Sequence, residues 1–393
     1  MMGLSRPSPA STRRLIPSFR ILRRSFADGG YKSFGSFHSD DVEELIRLPA
    51  DQYTSPKLPF DVGDVSFPSL HGASTPFAGS ADFIGCYSHL DRDKWTFLNH
   101  GAFGLALDLG LRRAHQWRMH LESQPLRHFD RYLLNHLAHG ARRMVDFVTT
   151  NESDASRLRE GVAMIQCVTG GMNAVIGGHA RCTRGRGKVF YYDVAYGSNK
   201  KMCEKYHGSN SVCIPFEEKY LLRLKDTKFS NSDLDWDDVA AEVFVEALDS
   251  AIHGVVKVEG KDSIEGSMLI LDHITSNTAI HFPIAAIAKY AREEYGMICV
   301  VDGAHGLLSL PLDMGKLLSK GGDSGCIDVY LTNAHKWFSS PRGAALMFAA
   351  DPSVRESILK QPAVISHGVD GGFLSRFMWS VTIFHLTFYI LQY

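Results

Sequence analysis

The chain has 393 residues of ordinary globular composition, 45% hydrophobic and 22% charged, which allows one large domain plus a smaller one around a sizeable core. Its formal net charge of −1 hides an asymmetry: Arg6, Arg13, Arg14, Arg20, Arg23 and Arg24 precede any acid, and the remainder carries 36 basic against 43 acidic side chains. That leaves no broad basic field to draw nucleic acid, and no apolar run reaches the roughly 18 to 20 residues of a bilayer span, so a soluble protein that touches neither is expected.

Residues 1–26 lack acids and alternate arginine with apolar positions through RRLIPSFRILRRSF. This predicts an organelle targeting segment, mitochondrial first, with plastid import or an untargeted cytoplasmic tail as alternatives. Residues 27–92 are rich in Ser, Pro, Gly and Asp and are expected to be a low-complexity linker and loosely packed N-terminal arm, apart from a short helical candidate at DDVEELIRL. Regular structure is expected from about Trp95, and the domain spans 93–380.

Helices are predicted through LGLRRAHQWRMHLES and RYLLNHLAHGARRMVDFV, and again near 233–252 and 283–295. Strands are predicted at GKVFYYD, SVCIPF, SMLILDHI, MICVVD and DVYLT, with another apolar strand after the Pro341 to Gly343 turn. Runs apolar on both faces, alternating with helices, specify an α/β fold whose mostly parallel sheet is covered by helices on both sides. Catalytic groups then belong at the carboxyl ends of the strands. The charged stretch KYLLRLKDTKFSNSDLDWDD is expected to be a surface excursion.

The most informative stretch is IDVYLTNAHKWFSSPRGAALMF, residues 327–348, which ends a strand on Asn333, His335 and Lys336. Thirty-four residues earlier another apolar run ends on Asp302, followed by GAHG with His305. An amine and an acid at the ends of consecutive strands suit a pyridoxal phosphate enzyme: the lysine holds the aldehyde as a Schiff base and the aspartate keeps the pyridine nitrogen protonated. Forming the Schiff base needs a neutral amine, so burial should lower the pKa of Lys336. In VTGGMNAVIGG, Thr169, Gly170 and Gly171 stand at a helix start, where backbone N–H groups can take a phosphate dianion. Tyr196 follows a strand and could lie flat on the ring, while LDHITSNTA offers Asp272, Thr275, Ser276 and Asn277 at the same edge, with the choice among them left open.

Other chemistries lack their signatures. Among eighteen histidines none forms an H-E-x-x-H pair, and the seven cysteines show neither C-x-x-C nor metal-ligand spacing, which favours free thiols and no metal. There is no G-x-S-x-G turn, no phosphate loop of the G-x-x-x-x-G-K-[ST] type, and no strand followed by G-x-G-x-x-G.

In this order the segments FLNHGAFG, DHITS, VDGAHG and NAHKW with SPRGAA resemble the class V aminotransferase group of pyridoxal phosphate enzymes, of fold type I. Within it the chain is similar to the branch of isopenicillin N epimerase and the plant-type cysteine desulfhydrases, from about Phe97 to about Ser380. The resemblance implies the large cofactor domain of that fold, a pyridoxal 5'-phosphate cofactor and a homodimer. It implies Lys336 as the Schiff-base lysine, Asp302 as partner of the pyridine nitrogen and His305 near the ring oxygen. It also implies Thr169, Gly170, Gly171 and His335 around the phosphate, Tyr196 stacked on the ring, Ser276 facing the ring hydroxyl, and Asn99, His100 and Gly101 bordering the substrate.

Two departures stand out. Cys167, Val168 and Thr169 replace the usual Asn-Ala-Thr, and Val381 and Thr382 replace the Gly-Thr of a Trp-x-Gly-Thr turn. Residues 381–393 then match nothing in the group, so the C-terminal small domain, with its carboxylate-binding arginine, is expected to be largely missing. The expected reaction is β-elimination from a small amino acid, cysteine foremost, through an aldimine and a carbanion, giving sulfide, ammonia and pyruvate. Epimerisation, cysteine desulfuration and a truncated non-catalytic protein are the alternatives.

Overall fold

The computed structural model describes residues 42–62, 85–216, 236–318, 325–366 and 368–378. The targeting segment at 1–26, most of the excursion at 219–238 and the tail at 381–393 lie outside them. The predicted apolar runs become β2 (Val189–Tyr192), β3 (Ser211–Ile214), β4 (Met268–Asp272), β5 (Ile298–Asp302), β6 (Val329–Asn333) and β7 (Ala345–Phe348), joined by an unforeseen β1 (Val162–Ile165). They form one sheet in the order β1-β7-β6-β5-β4-β2-β3. The neighbours from β6 through β3 pair in parallel, whereas β7 runs antiparallel to both β6 and β1. Six strands therefore point their carboxyl ends to one edge, and β7 alone points the other way.

Alternation along each strand divides the core between the two faces of the sheet. Leu269, Leu271, Val301 and Phe348 join one cluster with the helices Leu133–Phe147, Trp236–Glu259 and Ile284–Tyr295. Met268, Ile270, Val300 and Leu331 join another with the helices Val168–Cys182 and Gly197–His207. Each such side chain removed from water contributes roughly 1.5–3 kcal/mol, and both faces need it because the strands are apolar on both. This is the expected α/β architecture.

The stretch read as a loose arm is partly a packed element. Val42–Arg47 is a helix with Val42 and Ile46 fully buried, and the buried Arg142 donates to the carbonyls of Leu45, Ile46 and Leu48 at 3.2, 3.0 and 2.6 Å. A guanidinium on the last carbonyls of a helix satisfies groups that the helix itself leaves unpaired and complements the helix dipole. Glu43 of the same helix accepts from the Ser375 backbone N–H at 3.0 Å, tying residues 42–47 to the helix Phe373–Met378. Phe60 packs edge-on against Trp117, with centroids 5.0 Å apart.

Candidate active site

At the carboxyl edge a cavity of about 180 Å³ opens among the loops that follow β1, β2, β4, β5 and β6. Lys336, Asp302, His305, Thr169, Tyr196, Ser276 and His335 all line it, so seven of the residues singled out in the sequence converge there. Asp302 and Asp272 end β5 and β4 in direct register, which sets two carboxyls side by side at the cavity floor. Burial raises the proton affinity of both, and the Asp302 charge raises that of Asp272 further, well above the ordinary carboxyl range. Asp302 is the better held as an anion: it accepts from the Asn199 amide at 2.6 Å and from the Ala304 N–H at 3.0 Å. Among the described residues Asp272 accepts only a longer bond, 3.3 Å, from the Tyr196 N–H.

Lys336 lies in the tight loop between β6 and β7. Burial lowers its pKa against the pull of Asp302 and Asp272, as the chemistry of a nucleophilic amine requires. Its Nζ is 3.0 Å from His305 Nε2, and the Trp337 indole N–H reaches His305 Nδ1 at 3.3 Å. The loop is seated by residues far upstream. Gly104 has φ +70°, and a Cβ there would stand 1.6 Å from the His335 carbonyl oxygen, so only glycine permits this approach. Leu107 N–H donates to the Ser339 carbonyl at 3.0 Å, and Tyr87 and Ser339 share a hydrogen bond of 2.9 Å.

The opposite wall is the start of the helix Val168–Cys182. Its N-terminal residue Cys167 offers no side-chain cap; instead Asn333, on β6, accepts from the Val168 N–H at 3.1 Å. The two glycines of the helix's first turn differ. A Cβ on Gly170 would meet nothing closer than Cys167 Sγ at 3.9 Å; Gly170 is exposed and, unlike its neighbour Thr169, does not line the cavity. A Cβ on Gly171 would lie 2.4 Å from Leu331 and 2.6 Å from Ile165, so Gly171 lets the helix approach the sheet and does not line the cavity. His335 donates from Nδ1 to the Ala344 carbonyl at 3.0 Å. Its Nε2 can therefore donate to a phosphate only when the ring is protonated, and burial lowers the His335 pKa.

A wider vestibule of about 740 Å³ adjoins the cavity and shares Ala102, Ser276 and His305 with it. Asn99 and Gly101 border this vestibule, but the Asn99 side chain accepts from the Ala102 N–H at 3.0 Å and so caps the short helix His100–Phe103. His100 stacks on Trp337 at 6.0 Å. Thr275 is spent on its own turn, bonding Thr278 at 2.7 Å and the Ile280 N–H at 2.7 Å, whereas Ser276 is exposed to the cavity. Among the described residues no group of three or more His, Cys, Asp or Glu side chains could hold a metal, and no helix is long and apolar enough to cross a membrane.

Asn199, which donates to Asp302, is a site residue that the sequence did not point to. It sits one turn into the helix Gly197–His207, in GSNK, and nothing in that string separates it from a solvated amide. The arrangement fits a flat aldehyde that carries a ring nitrogen and a phosphate. A lysine amine stands for the aldehyde, a buried carboxylate for a cationic ring nitrogen, and an open helix start for the phosphate.

No family model matches the chain. It is 25% identical over 292 residues to the L-cysteine desulfhydrase of Arabidopsis thaliana, covering 72% of this chain and 56% of that one. It is 26% identical over 293 residues to putative L-cysteine desulfhydrase 1 of Oryza sativa subsp. japonica, covering 72% and 52%. The chain thus spans about half the length of the curated relatives it matches. Among solved structures, C-DES with its lysine mutated and glycine covalently linked to the PLP cofactor superposes with a TM-score of 0.53 at 17% identity, over 78% of this chain and 71% of that one. The cysteine desulfurase CsdA of Escherichia coli superposes at 0.50 and 15% identity, over 79% and 69%. The fold is therefore that of the fold type I cysteine desulfurases and C–S lyases, and the resemblance carried by the sequence motifs is borne out.

Proposed function

We propose that this chain binds pyridoxal 5'-phosphate and cleaves the C–S bond of cysteine, releasing sulfide, ammonia and pyruvate with the uptake of one water. The observation that carries this reading is the convergence of Lys336, the paired carboxyls Asp302 and Asp272, and the open start of the helix Val168–Cys182 on one cavity. The names of the plant relatives, L-cysteine desulfhydrases, support cysteine as substrate.

When bound, the cofactor supplies an electron sink for negative charge at the substrate Cα. The protein's residues do the rest. Asp302, oriented by Asn199 and Ala304, holds a proton on the ring nitrogen. The Thr169 hydroxyl and the first-turn N–H groups would take the phosphate, and Ser276 and His305, which line the same cavity, would meet the ring hydroxyl. Lys336 Nζ, its pKa lowered by burial, takes the proton from Cα and can return one to the departing sulfur.

The test is an absorption spectrum of the purified chain with added pyridoxal phosphate, beside Lys336→Ala, followed by cysteine and a sulfide assay. A band near roughly 410–430 nm that is absent from the variant, shifts with cysteine and is followed by free sulfide is expected of Schiff-base chemistry on this lysine. A wild-type chain that forms no band sinks the reading, and persulfide in place of free sulfide would assign the desulfurase reaction instead.

A further inference from the structure

We infer that Trp337 is a positioning residue that fixes the tautomer of His305 and, through it, holds Lys336 as a neutral amine. The inference rests on the proposed role of Lys336 as the group that takes an aldehyde. It comes from donor and acceptor counting along three residues. An indole N–H can only donate. At 3.3 Å from His305 Nδ1 it requires a lone pair on that nitrogen, so the neutral imidazole carries its proton on Nε2. That N–H faces Lys336 Nζ at 3.0 Å and requires a lone pair in turn, which an ammonium lacks.

The competing protonation states each set a donor against a donor. An ammonium at Lys336 would need a lone pair on Nε2, placing the His305 proton on Nδ1 against the Trp337 N–H. An imidazolium at His305 would do the same. The chain indole, imidazole, amine is thus directional, and its direction favours the nucleophilic form of the lysine.

The packing holds the two rings in place. A Cβ at Gly101 would lie 3.1 Å from His305 Cε1 and 3.3 Å from Trp337 Cζ2, so the upstream loop closes directly on both rings. His100 stacks on the indole with planes 27° apart. The charged and titratable groups around the relay act on the same amine from other elements. Asp302 and Asp272 favour its protonated form, and burial opposes them. His335, on the same loop as the lysine, has its Nδ1 committed to the Ala344 carbonyl.

Trp337→Phe keeps an aromatic ring in the stack and deletes the N–H together with the fused five-membered ring that carries it. In the full chain without added cofactor, labelled with ¹⁵N-histidine and assigned with His305→Gln, long-range proton–nitrogen spectra near neutral pH should show His305 protonated on Nε2. The Trp337→Phe spectrum should show a mixture of tautomers. Imine formation with added pyridoxal should need a higher pH in Trp337→Phe, with a rate at neutral pH lower by about tenfold, the change expected for one unit of amine pKa. Wild-type His305 protonated on Nδ1, or a tautomer unchanged by Trp337→Phe, overturns the inference. A chain with the expected tautomer and its loss in the variant, but no imine with pyridoxal phosphate, upholds the inference and overturns the proposed function alone.

Discussion

The carboxyl edge of the sheet and the helical layer around Trp117 are both rich in histidine, and burial lowers histidine pKa values in both. They differ in what the rings meet. Around Trp117, the rings of His120, His128 and His136 lie at 5.9, 5.9 and 4.7 Å from the indole, edge-on, as aromatic packing. At the carboxyl edge, His305 meets an amine and an indole N–H, and His335 meets a carbonyl. A count of histidines distinguishes nothing between these regions; the ring packing on one side and the amine and indole N–H at His305 on the other do. One region is a core that happens to titrate, the other a set of proton positions aimed at a cavity.

The largest effect that would break this contrast lies at Asp302. Asp302→Ala should lower the rate of sulfide release by ~10²–10³-fold, the scale for losing one preorganised electrostatic group, while the unfolding temperature stays close to wild type. An activity that survives this change would place the chemistry elsewhere.

The Trp117 layer should answer to acid instead. Burial first, then the neighbouring His120 and His136, holds His128 down to about 4 from 6.5. His139 is likewise lowered to about 4. A histidine kept neutral in the fold is protonated sooner in the unfolded chain, so its stabilisation is complete above pH 6.5 and is lost as pH falls towards 4. His179, His273 and His305 act in the same sense, so His128→Phe is needed to isolate the layer. The variant should lose less stability than wild type over that range, by up to ~3 kcal/mol, read from denaturation midpoints against pH. Parallel curves would show that the layer does not titrate as a core.

The smallest effect sharpens the comparison within the edge itself. Gly171→Ala should destabilise by about 1–3 kcal/mol through overpacking against Leu331 and Ile165, whereas Gly170→Ala should stay within about 0.5 kcal/mol of neutral. Equal costs in urea unfolding would mean that the two glycines do not divide between packing and an open helix start.

The strands β2 to β7 were legible because each run is apolar on both faces, as strands inside a covered parallel sheet must be. β1 was not, since VAMI merges into the helix that follows within three residues. The helix at 42–47 looked like a fragment in a polar stretch, because what fixes it is Arg142, 94 to 97 residues away. At the site, order along the chain was enough to place Lys336, Asp302 and His305 together. Asn199 and Trp337 matter through single hydrogen bonds across the fold, 103 residues for Asn199 to Asp302 and 32 for Trp337 to His305, and such bonds leave no periodic trace.

The reversed strand β7 has a consequence for how the molecule assembles. It lies between β1 and β6, so the helix start after β1 and the lysine loop after β6 become neighbours only once β7 has inserted, closing contacts such as Val162 with Phe348 across most of the domain. Long-range closure of this kind is slow, because the loop entropy is lost before the pairing repays it. The two halves of the cavity are thus predicted to meet at a late step of folding, to be checked by the order in which their amides gain protection from exchange during refolding. A ligand that bridges them binds only the completed sheet, and its affinity adds to the stability of that last closure.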